Sequence, residues 1–550
     1  MLKTDLEGVS VARESLELFS EEYEKEILKR FSEANAEDDV QEMWNYSCQL
    51  TEFNGGNRLV QSYIGQHPFF TAVPMEEEIF SQLSEIPSTV HLDSEPELDP
   101  ILIKLFADVL EICGFEWNRI MMIFDDPVLA MDSFIERIFA QSIQVYLQAI
   151  LNQASKAGEF LYLKVLHDSY IETINLAKSL HLIYNRPEKT NMAKSLVIDI
   201  FSSYLEEDYF RREKSWLQSV FWKMSFPFQQ KHSSYSNLEI NYTQSFYLFD
   251  RALVYSDILN TDLPVNYLWI HSNSVSRMKE LIPTNTEAQY DLTRILLETL
   301  SEKYIYVSIE AIDLDNDMAG RPPQLSSLGT VKKCNDILAL VHSYSTNFLL
   351  ENIADERITP LVNEWIYSVS SRVDEMLLNL YDKMIQWIRF VLRKQKKSYY
   401  KIKNDYDLLS SPSPTAQCVC IFLEEFLEEC HKNLEDHAMK TSFVTLCAKG
   451  VANNFLQNLD RFTITDAGGL MLLKDVSLYS QTFEKTDSTV SKSCFQMLRE
   501  LCNLFVVKPE NISGVAGEGL LSTVSASSIL KIVKLRSDFK QARIEKLLDQ

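Results

Sequence analysis

Apolar residues recur three and four positions apart along most of this chain, the spacing that gives one face of an α-helix. Around 98–113, Leu102, Leu105, Phe106, Val109 and Cys113 keep that spacing. Between 377 and 391, Leu377, Leu380, Met384, Trp387 and Val391 step three, four, three, four. A stripe of about two heptads predicts a bundle helix rather than a coiled coil. Near the end, Ile529, Ile532, Val533 and Leu535 predict a further amphipathic helix running into a charged tail.

Polar, proline-bearing stretches interrupt these faces at 84–100, 225–243, 313–328 and 404–415. They divide the chain into expected helical modules at 1–83, 98–228, 236–312, 328–405 and 415–550. Pro127, Pro187, Pro264 and Pro360 are expected to start or end helices within modules, where a missing N–H costs nothing. At 550 residues the chain exceeds the ~250–300 that one core supports, so several modules are required. Only 14 residues are glycine, well under half the usual ~7%. Hairpins and phosphate-binding loops draw on glycine, so its scarcity favours long helices. The expected fold is all-α, an elongated rod of consecutive antiparallel helical bundles.

A formal charge of −25 disfavours nucleic acid as a partner and also broad adhesion to anionic lipid. Nine cysteines without a CxxC pair read as reduced thiols. The opening MLKTDLEGVS has no apolar segment of the signal-peptide kind, and no apolar run reaches the ~18–20 residues of a membrane span. A cytoplasmic or peripheral protein is expected.

Catalytic and metal signatures are missing from the sequence. Asp313, Asp315 and Asp317 open like a calcium loop, but Met318 and Gln324 stand where a turn residue and a bidentate glutamate are needed. Cys418, Cys420, Cys430 and His431 do not follow structural zinc spacing, and on a helix Cys430 and His431 point ~100° apart. Asp125-Asp126 lacks the third carboxylate of a diphosphate-binding helix. With no phosphate loop, nucleophile elbow or HExxH present, neither an enzyme nor a bound cofactor is expected. One segment inverts the charge of the chain. Arg389, Arg393, Lys394, Lys396, Lys397, Lys401 and Lys403 occur without an acid between them, and Tyr399 and Tyr400 lie among them. Cations at a helix C-terminus satisfy its dipole, and the same cluster is a candidate docking patch for an acidic partner or anionic headgroups.

Several segments resemble, in order, the Sec-ten subunit of the exocyst. They are Phe53-Asn-Gly55-Gly56 with Leu59, Tyr63-Ile64 and Gln66-His67-Pro68; the run from Tyr204 to Trp216-Leu217; and Arg393-Lys394-Gln395-Lys396-Lys397 with Thr415 and Cys418. The stretch from Asp460 through Gly468-Gly469 to Leu498, Leu501, Cys502, Phe505 and Lys508-Pro509 is similar too, as is the ending Leu535-Arg536-Ser537-Asp538-Phe539 with Ala542-Arg543. The resemblance runs from about residue 50 onward. The longer coiled-coil N-terminal region usual in that family is largely absent, either through truncation or in a short lineage, so contacts of that coiled coil are assigned to no residue here. The resemblance implies a CATCHR-type helical rod and a non-catalytic exocyst subunit. Such a subunit joins the Sec-fifteen subunit and the other members, and tethers post-Golgi vesicles to the plasma membrane before SNARE-mediated fusion. The family has also been associated with an Arf-type small GTPase, and membrane association would be peripheral, through the complex. The competing expectation is a Sec-ten-like adaptor in endocytic recycling, linked to ubiquitin-ligase machinery.

Overall fold

The computed structural model describes residues 2–54, 56–71, 100–183, 192–236, 259–315, 320–402, 411–486, 488–542 and 544. Helices form where the three-four spacing recurs. Among the described residues the sole extended pairing is an isolated parallel bridge between Ile464 and Arg536. Contacts gather into two compact units, one of Met1–Ser219 with Ser276–Ala288 and one of Val220–Val275 with Gln289–Gln550. The expected break at 84–100 lies almost wholly outside the described residues, as do Pro187 and most of 404–415.

The first unit holds α1 (Leu2–Glu37), α2 (Val40–Asn54), α3 (Asn57–Gln66), α4 (Pro100–Ile123), α5 (Pro127–Ile138), α6 (Gln144–Ala157), α7 (Glu159–Ile183), α8 (Met192–Tyr204) and the start of α9 (Phe210–Ser236). Asp126 caps α5 by accepting from the Leu129 amide, and Pro127 occupies its first turn as expected. Single π-turns, Phe139–Ile143 and Leu205–Tyr209, join α5 to α6 and α8 to α9. Each inserts one residue and shifts the buried face, which a strict 3.6 period does not foresee.

Residues that carried the resemblance are joints of this unit. Tyr63 packs edge-on to Phe124, and its hydroxyl donates to Glu116 Oε2 at 2.6 Å. His67 Nε2 lies 3.1 Å from Glu116 Oε1. Burial pushes the Glu116 carboxyl up, but the hydrogen bonds from His67 and Tyr63 outweigh it and hold the group below its ordinary range. Further on, buried Glu213 pairs with Arg277, whose guanidinium lies 5.2 Å from the Trp216 ring centroid.

The second unit takes the remainder of α9, most of α10 (Asp262–Leu281), then α11 (Thr286–Leu300), α12 (Tyr306–Asp315), α13 (Ser326–Tyr344), α14 (Ile358–Arg393), α15 (Pro414–Asn433), α16 (His437–Leu459), α17 (Asp466–Glu484), α18 (Thr489–Asn503) and α19 (Ala526–Val533). Helix α13 packs on α14 and α15, α14 on α16, α15 on α17, and α18 on both α16 and α17. The stripe read at 377–391 extends along all of α14, from Ile358, Val362, Trp365 and Val369 to Val391. At 36 residues that helix is ~54 Å long. Side-chain caps set the later starts: Ser413 for α15, Asp436 for α16, Thr465 for α17, Ser488 for α18 and Ser525 for α19. Each accepts a backbone N–H left free in the first turn.

Two local expectations are corrected. The polar stretch from 225 does not interrupt the chain at once, because α9 runs through Pro227 to Ser236. Proline in a helix interior removes one hydrogen bond, but packing holds the helix on course: Phe221 and Ser225 are buried, and the Phe228 ring lies 4.6 Å from that of Tyr304. At the other end α19 stops at Val533, short of Leu535. The following residues bond to the loop before α17, with the Ile464 amide donating to the Leu535 carbonyl at 2.9 Å and the Ser537 amide to the Ile464 carbonyl at 2.8 Å.

Candidate docking site

The basic segment begins on the last turns of α14. Arg389 and Arg393 are one turn apart and exposed. The Arg389 Nε donates to Asn454 Oδ1 on α16 at 3.1 Å. Lys394 folds back over the Phe390 ring, 4.3 Å from its centroid. The segment then turns, leaving Lys396, Lys397 and Lys401 exposed, while Gln395 and Tyr400 are buried. Lys403 lies outside the described residues. The six described cations of the segment are all exposed.

Tyr400, read from sequence only as an aromatic among lysines, anchors a buried joint. Its hydroxyl donates to Asp475 Oδ2 at 2.9 Å, and the Ser413 amide donates to Asp475 Oδ1 at 2.6 Å. Burial still pushes the Asp475 carboxyl up, against those hydrogen bonds. The Tyr400 carbonyl accepts from the Thr465 amide at 3.1 Å, immediately before α17. Only glycine permits that approach: a Cβ at Gly468 would sit 2.0 Å from the Tyr400 oxygen, and one at Gly469 would sit 2.9 Å from Phe505 Cβ. The closing Leu-Arg-x-Asp completes the joint. Arg536, whose side chain is 2% exposed, reaches the Val507 carbonyl at 2.8 Å and also the Leu504 carbonyl, and it clamps both Asp538 oxygens at 2.9 and 2.8 Å. Hydrogen bonding from Arg536 holds the Asp538 carboxyl below its usual range.

The cysteine group is a feature of helix packing. Cys420 and Cys430 are buried on α15 while Cys418 and His431 are exposed, so the helix turns its members to different sides. Burial pushes the Cys420 thiol up to about 12 and Cys430 up as well. Among the described residues no group of three or more His, Cys, Asp or Glu is arranged to hold a metal ion.

One residue of the candidate site escaped the sequence reading. Arg461, just past the end of α16, donates to Asn458 Oδ1 at 3.0 Å and to the Arg393 carbonyl at 3.2 Å. It brings a third guanidinium beside Arg389 and Arg393, and with Leu392, Asn454, Gln457 and Asn458 they line a cleft of about 320 Å³. Arg461 is 68 positions from Arg393, and no local pattern connects them. The signal in the sequence was a lone arginine after Asp460, inside a stretch read for its glycines and its apolar helical face.

These features define a helical-bundle protein whose recurring residues make packing joints and whose charge inversion surrounds a small cleft. No helix among the described residues is long and apolar enough to cross a membrane. The family described as "Exocyst complex component Sec10-like, alpha-helical bundle" matches residues 2–252 and 254–548, and the chain belongs to it. The match starts at residue 2, ahead of Phe53, where the resemblance in the sequence begins. Exocyst complex component 5 of Drosophila melanogaster is 22% identical over 96% of this chain and 72% of its own length. Exocyst complex component SEC10 of Saccharomyces cerevisiae is 22% identical over 95% of the chain and 73% of its own length. The Dictyostelium discoideum component 5 is 24% identical over 99% of the chain, which spans 55% of that protein.

Proposed function

We propose that this chain is a non-catalytic subunit of the exocyst, acting as a helical scaffold in the tethering of secretory vesicles to the plasma membrane. The observation that carries this reading is the family match over nearly the whole chain, with relatives named as exocyst components. The mechanism is one of position. Long helices locked by buried joints hold partner-binding surfaces at fixed separations, since a 20-residue helix alone spans ~30 Å. The partners are the other exocyst subunits, the Sec-fifteen subunit foremost, with an Arf-type GTPase as a further one; membrane association is peripheral, on the cytoplasmic side. The exposed cations Arg389, Arg393, Lys394, Lys396, Lys397 and Lys401 serve as a docking surface in this reading.

Affinity purification of the tagged chain from cytosol, followed by mass spectrometry, tests it. Co-purification of the Sec-fifteen and other exocyst subunits is expected. Recovery of ubiquitin-ligase components without exocyst subunits would replace this reading by the recycling adaptor.

A further inference from the structure

The cleft between α14 and α16 has a charge balance that its structural role does not account for. Arg389 and Arg393 stand four residues apart on α14, and Asn454 and Asn458 stand four apart on α16, so two rows line it. Arg461 closes one end. Both helices finish here, α14 at Arg393 and α16 at Leu459, and each C-terminus contributes roughly −0.5 of a charge. Two such ends amount to about −1 against three guanidiniums, leaving roughly +2. Capping needs only Arg461, whose guanidinium reaches the Arg393 carbonyl. Among the described residues no carboxylate lines the cleft. Asp460, adjacent in sequence to Arg461, is engaged by Lys531 at 3.0 Å.

The donors are held ready. Asn454 is buried; its Oδ1 orients Arg389 while its Nδ2 donates to the Gly450 carbonyl at 2.9 Å. Asn458 orients Arg461 in the same way. A guanidinium carries five N–H donors, and these contacts use one on Arg389 and two on Arg461. The free donors form planar forks suited to tetrahedral oxyanions. A phosphate monoester presents about −1.5 to −2 at neutral pH and three acceptor oxygens, which matches both the charge and the donors. The volume lies at the small end of ligand sites, which run ~300–1,000 Å³. Exposed Lys396 and Lys397 in the turn that leaves α14 add to the attracting field.

We infer that the Arg389–Arg393–Arg461 cleft binds the phosphate monoester of a small polar headgroup. The inference gives a ligand class to the docking surface proposed above, and it does not depend on which complex the chain joins. Two sources share this chemistry, a soluble polyol phosphate and a phosphorylated lipid headgroup.

The test uses the whole chain and needs no partner subunit, so it can fail without touching the exocyst reading. Inositol trisphosphate is titrated calorimetrically, and cosedimentation is measured with phosphatidylcholine vesicles containing phosphatidylinositol phosphate or phosphatidylserine. Arg461 is left intact because its loss also uncaps α14. R389Q/R393Q is expected to weaken binding ~10-fold or more, as the loss of two charge-assisted contacts predicts. K396Q/K397Q removes the same charge outside the cleft and is expected to weaken it less than about threefold. Binding of the trisphosphate alone assigns the soluble source; binding of phosphoinositide vesicles above phosphatidylserine vesicles assigns the lipid. Absence of binding to either probe, wild-type binding by R389Q/R393Q, or an equal loss in K396Q/K397Q would overturn the inference.

Discussion

The second unit contains two polar assemblies less than one helix apart in sequence, and they are built on opposite principles. Around Tyr400, Asp475, Gly468 and Arg536, each donor or acceptor just described is spent on another part of the chain. Around Arg389, Arg393 and Arg461, donors outnumber the contacts they make. A satisfied buried network fixes geometry and is costly to disturb, whereas an exposed cation cluster adds little to stability and leaves its capacity for something else. The contrast separates residues that hold the fold from residues that can meet a ligand, although both kinds occur within the single run from Arg389 to Tyr400.

Substitutions should separate the two assemblies by size of effect. G468A is expected to cost about 3 kcal/mol or to abolish folding, because the atom that its methyl meets is backbone and cannot rotate away. Urea denaturation measures this, with G514A as the control; Gly514 has open space around it, and alanine there should be neutral or stabilising by up to ~1 kcal/mol. R536M leaves two carbonyls and Asp538 without their partner, and about 2–3 kcal/mol should be lost in the same assay.

Asp538 and Asp475 share this region but should respond to pH with opposite sign. The depressed Asp538 group stabilises the fold above its unfolded value of ~3.9, and that contribution disappears as pH falls through the lower folded value. D538N should thus be less stable than wild type at neutral pH, with the gap closing in acid. Asp475 is raised, so its favourable contribution is complete below the unfolded value and is lost as pH climbs through the folded one. D475N should gain on wild type as pH rises from 4 to 7, read from urea midpoints across that range. The smallest stability effect belongs to the cleft, where R389Q/R393Q should stay within ~0.5 kcal/mol of wild type.

Much of the fold was legible because its cause is local. The Leu377–Val391 stripe foretold the buried face of α14, and Pro127 foretold a helix boundary, which is the start of α5. Family membership was legible for a similar reason: Gly468-Gly469 are restricted by close approach and Arg536 by burial, so the segments that hold them stand out in order along the chain. What escaped depends on distant partners. Pro227 continues a helix because Phe221, Ser225 and Phe228 are packed. Leu535 leaves its helix because Ile464 offers a backbone pair. Tyr400 looked like part of a basic surface, and only the structure shows its ring inside with Asp475. Arg461 could not be added to Arg389 and Arg393 from spacing, since it arrives through the packing of α16 on α14.

The most direct test of this division measures the urea midpoint of wild type and R389Q/R393Q with and without inositol trisphosphate. A ligand that binds only the folded chain raises its midpoint. The account predicts equal midpoints without ligand and, with it, a larger rise in wild type than in R389Q/R393Q. An equal rise in both proteins, or a ligand-free loss in R389Q/R393Q as large as that of R536M, would contradict it.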